Sequence, residues 1–396
     1  MPHNSLKNLD SPLINKLRNY EPEFIEIRKN LHQNPELSRE EYKTADYIEN
    51  CLKSWNIETH RLIGTGIIGI IKKGQSNRNI GLRADIDALP INESNNLPYA
   101  SQTPGVMHAC GHDGHMTTLL MAAKYLQFDA DFDGIVTLIF QPDEEDTAGA
   151  KRMIEAGLFE KFPVDTVFAY HNYPGAKTGD VLIRDGAQMA GTCTIRIKVK
   201  SCGGHAAHPY QTVDTIYVAA QIVTALQSIP ARNLSAIDSA VITIGTIHGG
   251  VANNAIPGEV AMTGTLRYFD VAIREKVKAR IRELVEFTAK SYGATAEVEL
   301  IDGYIPTINE PNATAFAINS IESLIKPEHL HFDKIPSMGA EDFGFMLAEK
   351  PGAYFYLGND KTDTLTPLHT SGFDFDDRNL LIGSAIFCQL ALDYLK

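Results

Sequence analysis

The sequence predicts an α/β fold: a mixed, largely parallel sheet with helices on both faces, and an inserted ferredoxin-like α+β domain. Two observations predict this architecture. Continuous apolar runs such as GIVTLIF at 134–140 alternate with amphipathic helical stretches, as in sheets that are covered on both faces. From residue 192 the pattern changes to the order β-α-β-β-α-β, which is typical of a ferredoxin-like sandwich.

The length of the chain favours two domains. It has 396 residues, 44% of them hydrophobic, and a single core rarely grows that large. Helix and strand patterns resume after Tyr304. We therefore predict a discontinuous main domain formed by 1–188 and 302–396, and an inserted domain at 189–301.

Apolar periodicity predicts each element in order. The main domain begins with two helices, followed by two strands, a turn-rich stretch, a third helix and two buried strands around a short helix. In chain order these lie at 24–31, 40–52, 66–72, 79–83, 90–114, 115–126, 134–140, 149–155 and 165–170. The inserted domain has strands at 192–200, 240–247, 259–267 and 294–300, and helices at 214–229 and 271–290.

Charge and composition disfavour several classes of protein. The formal net charge is -13, so nucleic acid and anionic membrane surfaces are not expected as partners. We find no apolar run of about 18 residues and no apolar signal-peptide core. Five scattered cysteines do not suggest a disulfide framework. We expect a cytoplasmic protein.

Chemically active side chains follow the buried strands. Asp85 ends one strand, Glu144 and Glu145 follow the next, and His171 follows a third. In open α/β sheets, ligands gather outside the carboxyl ends of strands. Adjacent glutamates allow one carboxylate to bind a metal while the other moves a proton. Taken alone, such a pair is usually solvated surface, so it is the joint placement that indicates a site.

Loops add further side chains of the kinds that bind metal ions. Cys110 and His112 lie in the turn-rich stretch, and His369 lies in a loop near the C-terminus. Thiolate, imidazole and carboxylate together suit zinc or another borderline divalent ion. A single loop histidine or cysteine is more often an ordinary structural residue, so the spacing alone leaves a metal site and a purely structural role open.

Ten segments, in order over nearly the whole chain, resemble the M20 metallopeptidase family. They are RKNLHQNPELS (28–38), GLRADIDALPI (81–91), MHACGHDGHMTTLL (107–120), IFQPDEEDTAGAKRMIEAG (139–157), HNYPG (171–175), CGGHAAHP (202–209), HGGVANNAIPGEVAMTGTLR (248–267), MGAEDFGFML (338–347), PGAYFYLG (351–358) and LHTSGFDFDD (368–377). Within the family, the chain is similar to the amidohydrolase branch that contains hippurate, N-acyl-amino-acid and auxin-conjugate hydrolases.

The resemblance implies a site that holds two divalent metal ions, with Mn²⁺, Zn²⁺ or Co²⁺ as candidates. The implied ligands are Cys110, His112, Glu145, His171 and His369. Related enzymes carry a further histidine at the position that Arg83 occupies in this chain. Asp85 is therefore expected to support the ligands rather than to bind metal.

The resemblance also assigns the remaining roles. Glu144 matches the general base, and His205 matches a histidine that reaches the active site of the partner subunit and stabilises the oxyanion. Asn254 and Arg267 match residues of the inserted lid domain that are associated with substrate binding. The chain departs from the usual Pro-Ala-Glu-Glu-Gly by carrying Asp143 and Asp146. These extra charges could raise metal affinity or raise the pKa of Glu144.

The implied function is metal-dependent hydrolysis of the linear amide bond of N-acyl amino acids, with acetyl, benzoyl or similar acyl groups. A homodimer through the inserted domain is expected. An N-acetyl-diaminopimelate deacetylase or a dipeptidase would share every ligand. A catalytically silent binding or regulatory protein is the non-enzyme alternative, and the intact set of implied site residues disfavours it.

Overall fold

The computed structural model describes residues 4–360 and 365–396. The chain forms two compact units. Unit 1 contains the residues up to Gln188, Ile308–Ile335 and Asp342–Lys396, and unit 2 contains Met189–Thr307 and Pro336–Glu341.

The predicted boundary at 301 and the edge of unit 2 differ by six residues for a physical reason. The last strand of unit 2 runs to Asp302. Beyond it, the backbone N–H of Thr192 donates to the carbonyl of Tyr304 at 2.8 Å. The backbone N–H of Tyr304 donates back to Thr192 Oγ1 at 2.9 Å. These bonds keep the chain in unit 2 beyond residue 301.

The helices and strands fall into three stretches of the chain. The first stretch contains α1 (Pro12–Gln33), α2 (Tyr42–Ser54), β1 (Glu58–Leu62), β2 (Gly66–Lys73), β3 (Asn79–Asp85), α3 (His112–Phe128), β4 (Gly134–Gln141), α4 (Gly149–Glu155), α5 (Leu158–Lys161), β5 (Thr166–Lys177), β6 (Val181–Leu182) and β7 (Gly186–Met189). Unit 2 contains β8 (Gly191–Lys200), β9 (Gly204–His205), α6 (Thr215–Leu226), β10 (Ala240–Gly249), β11 (Ala255–Ile256), β12 (Glu259–Tyr268), α7 (Val271–Ser291) and β13 (Thr295–Asp302). The remaining stretch contains β14 (Thr307–Asn309), α8 (Pro311–Leu324), β15 (Leu330–His331), α9 (Phe343–Glu349), β16 (Gly352–Asp360) and α10 (Arg378–Tyr394).

The main sheet of unit 1 is mixed, with a parallel centre. Its strand order across the described residues is β1-β2-β4-β3-β5-β16-β6-β15. β3 runs parallel to β4 and β5, and β16 runs parallel to β5, whereas β1 and β2 are antiparallel additions. Every residue of β3 is buried, as expected for a strand covered on both faces. The predicted fold class is confirmed.

Helices cover both faces of this sheet, as two successive residues of β16 show. The ring of Phe355 contacts Phe387 of α10, with ring centroids 6.5 Å apart. The next residue back, Tyr354, contacts Phe343 of α9 at 5.8 Å. Because successive side chains of a strand point to opposite faces, α9 and α10 lie on opposite sides.

Unit 2 has a four-stranded antiparallel sheet in the order β10-β12-β8-β13. β8 alternates buried and open positions, with Ile195 and Ile197 in the core that α6 and α7 cover. An aspartate caps the N-terminus of each helix, Asp214 for α6 and Asp270 for α7. Its carboxylate accepts hydrogen bonds from backbone N–H groups of the first turn. The order β8-α6-β10-β12-α7-β13 is the predicted one, with the small β9–β11 ribbon added. In the described part of the chain, no helix is both long and apolar enough to cross a membrane.

Candidate metal centre

Neighbouring strands deliver the candidate side chains to one edge of the unit 1 sheet. β3 ends at Asp85, and β4 ends at Gln141, just before Glu144 and Glu145. β5 carries His171, and α3 begins at His112. β3, β4 and β5 are parallel, so their carboxyl ends meet at the same edge.

A glycine allows the Cys110 turn to approach β5. Gly111 adopts φ 93°, and a Cβ at this position would lie 2.2 Å from Asn172 Oδ1. Both the left-handed conformation and the close approach require glycine. The turn therefore places Cys110 and His112 directly against His171.

The structure brings the five predicted ligands and Glu144 into one cluster. Cys110 Sγ lies 3.3 Å from His171 Nε2. Glu145 Oε1 lies 3.2 Å from His369 Nε2 and 3.9 Å from His112 Nε2. Three overlapping sets each have ligand atoms within 4.8 Å of one another: Cys110 with His112 and His171; Cys110 with Glu145 and His369; and His112 with Glu144 and Glu145.

His112 shows that this cluster fits a cation. Its Nδ1 donates to the carbonyl of Asp87 at 2.9 Å, whereas its buried Nε2 has no hydrogen-bond partner among the described residues. An imidazole fixed in this way directs Nε2 into the cluster, where a metal ion would displace its proton, as in metal-ligating histidines. Burial opposes charge on His112, but the carboxylates of Asp85 and Asp87 outweigh it and raise its pKa to about 10. A divalent ion would balance that negative charge.

Cys110 and His171 are also shaped by burial. Burial and the charge of Glu145 raise the pKa of the Cys110 thiol well above its usual value. Burial and His115 lower the pKa of His171, so this imidazole is neutral, as a ligand must be. His171 Nδ1 donates to the carbonyl of Asn172 at 2.7 Å, which leaves Nε2 facing Cys110. The donor set of thiol, imidazole and carboxylate suits a borderline divalent metal.

Asp85 lies behind the cluster, fully buried. Its Oδ1 accepts from His115 Nδ1 at 2.6 Å, and its Oδ2 accepts from Arg83 Nη1 at 2.8 Å. The same Oδ2 is 3.7 Å from His112 Nε2. Arg83 also donates to Gln141 Oε1 at 2.7 Å. The carboxylate is thus held by Arg83 and His115, and it faces one candidate ligand.

Asp87 contacts two candidate ligands, although the sequence assigned a role only to Asp85 of this pair. Its Oδ1 lies 3.2 Å from His112 Nδ1, and its Oδ2 accepts from the backbone N–H of Glu145 at 3.0 Å. Ser38 Oγ donates to Oδ2 at 2.7 Å. The only signal in the sequence was its place two residues beyond Asp85.

Asp143 and Asp146 are each balanced by an arginine. Asp143 Oδ2 accepts from Arg152 Nη1 at 2.6 Å, and Oδ1 accepts from the backbone N–H of Thr147 at 3.1 Å. Asp146 pairs with Arg39 at 3.1 Å, and both side chains are more than half exposed. The additional negative charge at these positions is therefore neutralised locally.

His369 reaches the cluster from a half-exposed loop. It adopts φ 59°, and its backbone N–H donates to the carbonyl of Ala109 at 2.9 Å. This bond fixes the C-terminal loop to the residue before Cys110. The side chain of His369 is 51% exposed, so the cluster is open on this side.

In unit 2, His205 and Asn254 lie together. β9 and β11 pair in a short ribbon, and the backbone N–H of Ala206 donates to the carbonyl of Asn254 at 3.0 Å. Both side chains are exposed, and His205 Nδ1 accepts from the backbone N–H of Ala207 at 3.0 Å.

Arg267 lies elsewhere in unit 2, near the end of β12 opposite Thr192 and Val241. It is half-buried, and its guanidinium donates to Thr265 Oγ1. Burial alone lowers its pKa, and no carboxylate pairs with it in the described part of the chain.

Comparison with known proteins identifies the family. The sequence profile of Peptidase family M20/M25/M40 matches residues 81–393. The hippurate hydrolase of Campylobacter jejuni is 40% identical over 97% of this chain and 100% of its own length. An N-acetyldiaminopimelate deacetylase of Lactobacillus helveticus is 36% identical over 92% of this chain and 95% of its own length.

A solved relative shares the fold. The YXEP protein of Bacillus subtilis, described as a dinuclear metal binding peptidase from the M20 family, superposes with a TM-score of 0.83. It is 32% identical, and the match covers 96% of this chain and 99% of that one. The resemblance seen in the sequence motifs is confirmed. The chain belongs to peptidase family M20/M25/M40 and is a metal-dependent hydrolase of amide bonds.

Proposed function

We propose that this enzyme hydrolyses N-acyl amino acids, with an acetyl, benzoyl or similar acyl group, and that Glu144 is the general base. The supporting observation is the cluster that Cys110, His112, Glu145, His171 and His369 form at the sheet edge, with Glu144 beside His112 and Glu145. The two curated relatives are named for N-acylated amino acids, which supports the same substrate class.

We propose that the cluster holds two divalent ions. When bound, such ions lower the pKa of water and polarise the acyl carbonyl. Cys110, His112 and His171 would hold one ion, and Cys110, Glu145 and His369 would hold the other. Cys110 is common to the two sets. Mn²⁺, Zn²⁺ and Co²⁺ are the candidates.

The position of Glu144 supports its proposed role as the proton carrier. It is 6% exposed and has an oxygen within 4.8 Å of ligand atoms of His112 and Glu145. It would take a proton from the attacking water and return it to the departing amine. His205 of the partner subunit would donate to the oxyanion, and Asn254 and Arg267 would bind the substrate. Removing one oxyanion donor typically lowers the rate about 100- to 1,000-fold.

Homodimerisation through unit 2 is also proposed, with β10 as the contact. β10 is an outer strand of its sheet, and Val241 and Ile247 on it are 40% and 50% exposed. An apolar outer strand favours pairing with a second copy. Light scattering should report a dimer for the wild-type chain and a monomer for Ile247→Lys. Ile301→Lys, on the opposite outer strand β13, is the control that should remain dimeric. A monomeric wild-type chain would refute the dimer.

Cytoplasmic location remains part of the proposal. The five cysteines, all within the described residues, form no disulfide. A reducing compartment fits this pattern.

The decisive experiment measures amine release from acetyl-, benzoyl- and indoleacetyl-amino acids and from N-acetyl-diaminopimelate. Chelator-stripped protein is tested alone and after addition of manganese, zinc or cobalt. We expect no hydrolysis without metal and restored hydrolysis with it. The preferred panel member then identifies the acyl group and the amino acid. Absence of hydrolysis in protein that binds two ions would refute the substrate class.

The base is tested by Glu144→Gln. General-base removal should lower kcat about 100- to 10,000-fold while the metal content stays unchanged. Asp146→Asn is the matched control, since Asp146 lies two residues away but pairs with Arg39 outside the cluster. Near-normal turnover of metal-loaded Glu144→Gln would show that another group is the base.

The role of His205 is tested by mixing subunits. Neither His205→Ala nor Glu144→Gln homodimers should be active. A heterodimer of the two should recover activity at one of its sites, because that site has an intact Glu144 and receives an intact His205. No recovery in verified heterodimers would place His205 outside the partner's site.

A further inference from the structure

A lysine outside the metal cluster stands over two aromatic rings of unit 1. Lys334 Nζ lies 4.0 Å from the ring centre of Tyr356 and 4.9 Å from that of Tyr173. The residue is only 9% exposed. Its closest hydrogen-bond acceptor is the carbonyl of Ile335, at 3.5 Å.

No carboxylate pairs with Lys334 among the residues that the structure describes. The charged side chain next to it is Arg184, which donates to the carbonyl of Lys334 at 3.1 Å and carries the same sign of charge. Burial and then Arg184 lower the pKa of Lys334 to about 8. Burying an ammonium without a counter-ion is unfavourable, and contact with aromatic faces offsets only part of the cost.

The ammonium lies on the sheet face that carries a candidate metal ligand. In the parallel pairing of β16 with β5, Tyr356 is directly opposite His171. Opposed residues of neighbouring strands point to the same face and are about 4.8 Å apart. Tyr173, two residues after His171, points to that face too, and its ring is 5.4 Å from that of Tyr356. Lys334, Tyr356, Tyr173 and His171 therefore line one surface.

We propose that Lys334 is a specificity residue that receives a carboxylate of the amino-acid part of the substrate. The inference rests on the proposed hydrolysis of N-acyl amino acids. A cation on the surface that also carries His171 would attract the carboxylate of an anionic substrate bound at the cluster. The bound carboxylate would supply the counter-ion that the buried ammonium lacks.

The carboxylate has two possible sources, and one pair of substrates distinguishes them. N-acetylglutamate and N-acetylglutamine both carry an α-carboxylate and have side chains of similar shape, but only the first has a charged side chain. The metal-loaded full-length enzyme and its Lys334→Met variant are compared on both, and on the best neutral substrate of the panel.

If Lys334 binds the side-chain carboxylate, Lys334→Met should raise KM for N-acetylglutamate alone. If it binds the α-carboxylate, KM should rise for all three substrates. The expected rise is about 10- to 100-fold, as for loss of a charge-assisted hydrogen bond, with kcat nearly unchanged. Lys334→Arg, which keeps the charge, should recover part of the loss.

Lys350→Met is the matched control, since Lys350 also stands over an aromatic ring, that of Phe159 at 5.6 Å. It should leave KM unchanged. The proposal is overturned if Lys334→Met leaves every KM unchanged, if it lowers only kcat, or if the Lys350 variant has the same effect. A wild-type enzyme that hydrolyses no N-acyl amino acid would instead refute the proposed function, which the panel detects before any variant is made.

Discussion

Asp87 holds two proposed ligands at once. Its Oδ1 and backbone carbonyl fix the ring of His112, and its Oδ2 fixes the backbone of Glu145. Partners of this kind orient the ligand atoms before the metal arrives. Asp87 has no special sequence pattern, because both contacts depend on how α3 and the loop after β4 fold back on β3.

Asp87→Ala should lower metal affinity about 10- to 100-fold, the usual cost of removing a residue that orients a ligand. Asp87→Asn should lower metal affinity less, because the amide oxygen of asparagine can still accept a hydrogen bond from His112. Metal titration by calorimetry measures both effects. Asp180→Ala is a suitable control, because Asp180 is also buried but pairs with His329. Unchanged affinity in Asp87→Ala would contradict the orienting role.

His32 gives unit 1 a dependence on pH. It is buried between Asp113, 2.8 Å from Nδ1, and Glu93, 3.2 Å from Nε2. Burial opposes its charge, but the charge of Asp113 and its hydrogen bond outweigh this and raise the pKa from 6.5 to about 9. The folded pKa is above the unfolded one, so this stabilisation is complete below pH 6.5 and is lost as pH rises through about 9.

The free energy of unfolding of wild type minus that of His32→Gln should therefore shrink between pH 6.5 and 9. Denaturant unfolding at several pH values, with chelator in every sample, measures the difference without a contribution from metal binding. A difference that stays constant over this range would show that folding does not raise the pKa of His32.

At the scale of elements, the loop between β4 and α4 positions the glutamate pair. Asp143, next to Glu144, adopts φ 61°. Its backbone N–H donates to Glu41 Oε1 at 2.9 Å, and its carbonyl accepts from the backbone N–H of Gly149 at 2.8 Å. With the contacts to Thr147 and Arg152, these bonds fix the loop at both ends.

Asp143→Ala should destabilise the protein by about 1–3 kcal/mol, because buried partners lose an acceptor and alanine tolerates positive φ poorly. It should also lower kcat, since Glu144 is the next residue. Asp143→Asn keeps an acceptor for Thr147 and tolerates positive φ, so its effect should be smaller. Thermal unfolding and steady-state kinetics test both variants, with Asp146→Ala as an exposed control. If Asp143→Ala and Asp143→Asn lowered stability and kcat equally, neither the positive φ of residue 143 nor its side-chain acceptor would matter.

Continuous apolar strands such as β4 were predictable from sequence, whereas several other elements were not. β1 has the sequence ETHRL and is mostly exposed or half-buried, so it lacks the apolar pattern of a buried strand. β9 and β11 have two residues each. α1 begins at Pro12 and continues through Pro22, although an interior proline normally indicates a helix boundary. The five implied ligands came from motifs rather than spacing, because they lie on four separate parts of the chain.

At the scale of the whole molecule, metal bound at the cluster should raise the free energy of unfolding. Asp85, Asp87 and Glu144 are buried, and each lies near His112. Ligands that bind only the folded state stabilise it by about 2.7 kcal/mol at 100 times Kd.

Removing metal with a chelator should therefore lower the unfolding temperature, and restoring metal should raise it again. His112→Ala should reduce this shift, whereas Glu144→Gln should retain it. Differential scanning calorimetry at fixed protein concentration measures the shift. Identical unfolding temperatures with and without bound metal would refute the coupling.

Chain length predicted two domains, but no sequence pattern predicted that Pro336–Glu341 belongs to unit 2. This short stretch lies between two segments of unit 1, Ile308–Ile335 and Asp342–Lys396, so no local pattern assigns it to unit 2. Hydrogen bonds decide it: the backbone N–H of Ala190 donates to the carbonyls of Ser337 at 3.0 Å and Gly339 at 2.9 Å. Thr307 Oγ1 donates to the carbonyl of Glu341 at 3.0 Å.

This arrangement constrains how the chain can be recombined with its relatives. A chimera that exchanges only Met189–Thr307 would pack a foreign segment against the native Pro336–Glu341, so the residues that contact each other would come from different parents. An exchange that transfers both segments together keeps them matched. Recombination libraries within the family should therefore yield folded hybrids mainly when the two segments have the same parent.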